Sequence, residues 1–428
     1  MRGKLFSHVS VFLLSAATLA LTLSCGGGGG VSPSPGNRVT VTTDADWAAY
    51  QVGSGPWTVV ALSGGSFSFA LDSSGKYGVA LHNPEGPGSS NDPDVVIYQA
   101  SKEETTRITH VFSLYQESGE VRGSIYNLGV NEVAYLYLFD FSSGPHSNGG
   151  SYDIIDTPAV TTDIIGVALN VSNQQNPVPL RATIHRVDVP PISQGPVTED
   201  FDFSSGATFD LVQRSVSVTG GSGEVLIASK NGTVVSLGDT QAGYFYAADV
   251  TDPQSSQIES GDLYVFHGWG SALPGKEFFR TYDATGDPGS LDKNINEIAS
   301  FTGGTPSSSV PYPEYTGLSY TPSGVSPELR AFLIRQDQTQ GTNFVRWEVY
   351  ISTGWLDTNT TYQVPDLSMF NTFPTSATFQ NGYQVDWTVS AFMSSATIQE
   401  IIDVGGDPEY KISGLAMDVA FNQGSFTP

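Results

Sequence analysis

Apolar and polar residues alternate in step along many short stretches of this chain, most clearly near its end. In "FVRWEVYIS", Val345, Trp347, Val349 and Ile351 share one side of an extended backbone. In "YQVDWTVSAF", Tyr383, Val385, Trp387, Val389 and Ala391 share one side, and Gln384, Asp386, Thr388 and Ser390 the other. In "LAMDVAF", Leu415, Met417, Val419 and Phe421 share one side. A period of two places each set on one face of a strand. The polar opposite face predicts antiparallel sheet with one wet side, and two such sheets packed together form a sandwich.

The same pattern runs back to Arg38. "WTVVAL" and "SFSFAL", separated by "SGG", read as a hairpin, and "KYGVALH" and "DVVIYQA" as a further strand pair. "TRITHVFSLY" and "EVRGSIYN" follow, joined by "QESG". "EVAYLYLFDF" is apolar on both sides and predicts a central strand. "GGSYDIIDTPAVTTDIIGVAL" reads as two strands around a Thr-Pro turn. Asn231-Gly232 predicts a two-residue hairpin turn between "GEVLIASK" and "GTVVSLG", because both residues tolerate positive φ. Helical spacing is scarce. "SLDKNINEIASF" predicts one short helix, with Ser290 as N-cap and Leu291, Ile295 and Ile298 on one side; "PDLSMF" predicts a single turn.

Composition agrees. The 428 residues include 47 Gly and 25 Pro, so turn signals recur throughout, while 11% aromatic content argues against disorder. The expected fold is all-β, two antiparallel β-sandwich-like domains with few short helices. Charge-free, Pro-rich "PPISQGP" at Pro190 to Pro196 marks the division. The first domain spans 38–190, as one unit or as two modules, 38–105 and 106–190; the second spans 197–428. The formal charge of −25 argues against a nucleic-acid partner, which needs clustered Lys and Arg.

Ahead of these domains, residues 1–24 have a basic start, an apolar stretch and a small residue, Ser24, before the only cysteine, Cys25. This is the layout of a secretory signal. "LTLSC" resembles a permissive bacterial lipobox, with Thr22 where the usual form has Leu. The resemblance implies diacylation of the Cys25 thiol, cleavage after Ser24 and acylation of the new amino group. Gly26 follows Cys25 where the inner-membrane retention signal has Asp, so the resemblance implies an outer-membrane or cell-surface destination. Residues 25–37, with five consecutive glycines and then "VSPSPGN", form a tether resembling the starts of bacterial surface lipoproteins. With no second cysteine, no disulfide within the chain is possible. Residues 119–189, through "GEVRGSIYN" and "GGSYDIIDTPAVTTDIIGVA", resemble transthyretin-like and carboxypeptidase-regulatory-like β-sandwich modules, which share no catalytic residues.

Catalytic signatures do not stand out. No H-E-x-x-H, G-x-S-x-G or G-x-x-x-x-G-K-[ST] occurs. Acidic loops offer oxygen ligands for calcium at Asp92 and Asp94, at Glu199, Asp200 and Asp202, and at Asp283, Asp287 and Asp292, though Asp in such loops more commonly caps a turn. No other cofactor is expected. Trp269 in "HGWGS" and Trp355 in "STGWLD" lie in turn-like surroundings where a ring can stack on a sugar, or else anchor a loop; Trp347 and Trp387 read as core. The leading expectation is a lipid-anchored envelope protein, a non-enzymatic binding or structural module whose partner is an envelope protein or a glycan. The alternatives are a carbohydrate-binding or carbohydrate-acting protein, and a hydrolase with an unrecognised site. Mass spectrometry of the mature N-terminus should find acylated Cys25, and Cys25→Ala should leave the membrane fraction. A mature chain carrying an unmodified thiol would overturn the anchor.

Overall fold

The computed structural model describes residues 37–428, apart from 63, 84–92, 113–117, 140, 174–176, 271, 273 and 404–412. Cys25, the signal segment and Asp92 lie outside the described residues. The fold is all-β. Among the described residues α-helix is confined to Thr353–Leu356 and Ile398–Asp403, and no helix is long and apolar enough to cross a membrane.

Hydrogen-bonded ladders run from strand to strand among the described residues. Thr58–Val60, Trp47–Val52, Lys76–His82 and Val95–Ser101 follow one another antiparallel. Val95–Ser101 then lies parallel to Asn343–Ser352. Antiparallel pairing continues through Leu329–Gln340, Val385–Ser394, Ala416–Phe426, Gly275–Asp283, Leu263–Gly270 and Gly221–Ala228. Strands on both sides of Pro190–Pro196 therefore share one sheet. Phe209–Thr219 is long enough to change partners: its start pairs with Val178–Asp188, its middle with Tyr244–Ala248, and its end runs parallel to Leu291–Asn294.

Both faces of the sheet are covered over much of their area. One face buries Trp47, Ile97, Phe332, Trp347 and Val389 against Tyr315, Phe373 and Phe379 from the irregular stretch that follows Phe301. The other buries Leu81, Val96, Val265 and Met417 against Val39, Val41 and Ile108. Those last three belong to a small sheet in which Arg38–Thr43 lies between Ser66–Ala70 and Arg107–His110. A third core lies within 118–203, where Val121 and Tyr152 of one sheet face Leu136 and Ile164 of another. Arg186 ties this sandwich to the rest through the fully buried Asp163 and Asp262.

Local expectations fared unevenly. "SGG" does turn, with Gly64 and Gly65 at φ +76° and +73°. Its flanking strands part company, however: Thr58–Val60 joins the large sheet and Ser66–Ala70 the small one. Arg107–His110 and Ser118–Tyr126 likewise pair with different partners. The hairpin at Asn231-Gly232 forms with a longer loop closed by Ser229 and Thr233, and of the two residues only Gly232 takes positive φ. The helix expected from Ser290 is absent: Leu291–Asn294 is strand, and Asn294 caps the 3-10 turn Ile295–Glu297. Pairing with Phe209–Thr219 supplies backbone partners that outweigh the helical spacing. The expected wet face is covered in places by the small sheet, and the apolar face in turn takes in polar side chains. Gln336, Gln338 and Gln340 point into the core beside Phe332 and Ile334, and Gln338 and Gln340 bond the backbone of the covering loop at Gln380 and Thr378.

Asp94 sits at the parallel junction. Its carboxylate accepts from the Arg346 amide at 2.7 Å, and its own amide donates to the Arg346 carbonyl at 2.9 Å. Burial pushes the carboxyl up to about 6 from its ordinary 3.8, against the pull of that amide, His82 and Arg346. The folded chain therefore holds this proton to higher pH than the unfolded chain. Stability from the group is full below the unfolded value and is lost as pH rises through about 6. Relative to Asp94→Asn, which keeps the acceptor oxygen and cannot ionise, the wild type should lose on the order of 2 kcal/mol between about pH 4 and 7. Urea midpoints across that range check this; parallel pH profiles in the two proteins would refute it.

Candidate ligand-binding face around His267

The strands Gly221–Ala228, Leu263–Gly270 and Gly275–Asp283 lie side by side. Their alternation sends Glu224, His267, Trp269, Glu277 and Phe279 to one face. Register places Glu224 and Phe279 directly across from His267, and Glu277 across from Trp269. Phe421 borders the group because Gly275, its cross-strand partner, leaves room: a Cβ there would fall 1.9 Å from the Phe421 ring.

The His267 ring is stacked on Phe279 at 4.3 Å and 6°, with Trp269 tilted against it at 5.0 Å. Both of its nitrogens are buried and without a hydrogen bond. Glu224 stands 3.7 Å from Nδ1 and Glu277 4.0 Å from Nε2. Those distances are too long for hydrogen bonds but short enough for charge to act. Burial raises the Glu277 carboxyl above its ordinary value, with His267 and Arg335 pulling the other way. Glu224 and Glu277 remain partly open to solvent, at 30% and 24% side-chain exposure.

Farther along the same face, Arg335 and Glu348 pair across neighbouring strands at 2.6 Å. Burial alone would raise the Glu348 carboxyl. Arg335, Arg346 and the Tyr350 hydroxyl outweigh it and hold the group low. Tyr98 bonds His110 Nδ1 at 2.9 Å, and burial pushes that imidazole down to about 4. It is therefore neutral near pH 7. The band as a whole offers flat rings, carboxylate acceptors and a half-open guanidinium.

Trp269 thus belongs to a side-chain cluster. Trp355 lies on the opposite face of the sheet, edge-on to Tyr362 at 5.4 Å. Most of the calcium candidates among the described residues have partners of their own. Asp283 accepts from Thr285, Asp287 pairs with Arg214, and Asp292 lies exposed on Leu291–Asn294. Glu199 lies 2.6 Å from His185; Asp200 accepts from the Ser124 amide and Asp202 from Asn127. Asp94 is spent on the strand junction. Among the described residues no three of His, Cys, Asp or Glu are grouped to hold a metal ion.

Glu224, Glu277 and Arg335 were not among the candidates read from the sequence. They are far apart in the chain and meet only through strand register. The one local signal was the spacing of His267 and Trp269, two residues apart on an alternating strand. The chain matches no protein-family model and no curated protein.

Carbon-detected NMR should find Glu277 titrating above its ordinary 4.5. His267→Ala should raise it further, because the imidazole is one of the two groups that favour the ionised form. Titration at or below 4.5 would show that the carboxyl is not desolvated.

Proposed function

We propose that this protein is a carbohydrate-binding protein of the bacterial envelope, held by lipid on Cys25 and presenting the His267 face to a glycan. The carrying observation is the half-exposed Trp269 beside His267, with Glu224 and Glu277 on either side. A sugar ring offers a C–H face that packs on an aromatic ring and hydroxyls that donate to carboxylates. The tether of glycines and prolines in 25–37 would let such a face stand off the membrane.

A carbohydrate-acting role is the second reading. Two carboxylates reach one imidazole from opposite sides, and glycoside hydrolysis uses two carboxyl groups across the scissile bond. A non-enzymatic scaffold or adhesive role needs none of these groups open to solvent.

A glycan array followed by calorimetry tests the proposal. At least one glycan should bind, and Trp269→Ala should weaken it about tenfold or more, ~1.4 kcal/mol. Release of reducing ends that stops in Glu277→Gln would move the assignment to the hydrolytic reading. An array without hits, on protein that is folded, would favour the scaffold role.

A further inference from the structure

The opposite face of the sheet holds a second group of aromatic and amide side chains. Gln99 is 2% exposed, and its Oε1 is buried with no hydrogen-bond partner. The Trp355 indole Nε1 is also buried and unpartnered. Both side chains touch Tyr362: Gln99 Nε2 donates to its hydroxyl at 3.2 Å, and the Trp355 ring meets it edge-on. Gln51 accepts from Gln99 at 3.3 Å. Gly78, paired with Gln99, carries no Cβ, so the Gln99 amide and the Trp57 ring can lie directly against the strand; a Cβ would come within 2.9 Å of both. Trp57 and Trp355 are only half-buried and form the outer edge.

An unpaired buried donor and an unpaired buried acceptor in one cluster are each costly, and native proteins satisfy nearly all such groups. A hydroxyl accepts from an indole N–H and donates to an amide oxygen, so a hydroxyl-bearing ligand matches both groups in chemistry. The five side chains named carry no charge. Glu104, whose carboxylate accepts from the Gly354 amide beside Trp355 at 2.9 Å, is also engaged by the Ser101 amide at 3.0 Å. We propose that Trp57, Gln99, Trp355 and Tyr362 form a second binding site, selective for an uncharged, hydroxyl-bearing ring such as a neutral sugar. It is separate from the His267 face and does not depend on what that face binds.

The test reads the Trp355 indole N–H directly. The chain has six tryptophans, and Trp355→Phe identifies the peak in a ¹⁵N correlation spectrum. Glucose, galactose and N-acetylglucosamine are titrated singly, with glucuronate as the charged control. At least one neutral sugar should shift the Trp355 peak saturably, and glucuronate should not. Gln99→Leu removes the acceptor without adding bulk and should weaken that response roughly tenfold. Trp269→Ala should leave it unchanged, which separates this site from the first. Three results would overturn the proposal: no saturable shift with any neutral sugar, an equal response to glucuronate, or an undiminished response in folded Gln99→Leu. A Trp355 N–H bonded to a resident water that no sugar displaces would also overturn it.

Discussion

Val95–Ser101 and Asn343–Ser352 lie side by side in parallel, although Asp94 and Arg346 at their head are 252 positions apart. Closing a loop of that length costs about 5 kcal/mol of chain entropy before any constant contribution. Five paired positions, from Val95 with Trp347 to Gln99 with Ile351, do not offset that alone. Burial does. Trp347, Val349, Ile351, Val95 and Ile97 are all fully buried, and each such side chain contributes roughly 1.5–3 kcal/mol. Without this ladder, Trp47 and Ile97 would lose the layer that covers them, because Tyr315, Phe373 and Phe379 come from the second half of the chain. The two halves read from the sequence are therefore not independent in energy.

Covering a sheet on both faces forces polar side chains indoors, and the chain handles this differently on each side. On the face toward Phe332, amides do the work. Gln338 bonds the Gln380 and Tyr383 carbonyls and accepts from the Gln380 amide, Gln340 bonds Thr378, and the Trp347 indole bonds Ala377 at 2.7 Å, so side chains of the sheet hold one irregular segment. Gln336 is the exception. It lies beside Tyr315, with neither its amide nor that hydroxyl in hydrogen-bond geometry. On the other face, ion pairs do the work, Arg335 with Glu348 and Arg346 with Asp337. Exposure on this face varies from Val96 at 1% to the Glu224 side chain at 30% and that of Arg335 at 43%. The His267 group lies on this second face, with Glu224 and Glu277 partly open to solvent beside it.

Strand existence was legible because it depends on neighbours in sequence. The alternation at Val345, Trp347, Val349 and Ile351 does place all four in the core. Strand partners were not legible, because pairing is decided by distant residues. The turn at Gly64 and Gly65 could be read, but not that its two arms would enter different sheets. Leu291, Ile295 and Ile298 are all buried, as an apolar helix face would be. The ladder to Phe209–Thr219 nonetheless fixes an extended backbone there, a tertiary override of local spacing. Of the candidate site, Trp269 was visible and its neighbours were not. Glu224 and Glu277 are ordinary strand carboxylates until register brings them to one imidazole.

Among the described residues, three histidines lie within 4 Å of a carboxylate, and the contrast among them bears on the proposed function. His185 lies 2.6 Å from Glu199 and stacks on Phe201; His82 lies 2.6 Å from Asp46. In both, the Nδ1 contact is closed, although His82 keeps its other nitrogen unbonded. His267 closes neither contact, with two carboxylates in reach and both nitrogens buried. Leaving a buried polar atom unpaired costs about 1–3 kcal/mol. A fold that closes this contact twice elsewhere is not limited by its backbone or its side-chain repertoire. The open contact occurs beside a half-exposed tryptophan and a carboxyl whose pKa is raised by burial. Perturbed groups with unmet hydrogen bonds concentrate where proteins bind or react. Of the three, His267 is the one whose carboxylate contacts are left open, and that contrast is what supports the proposal that this face meets a ligand.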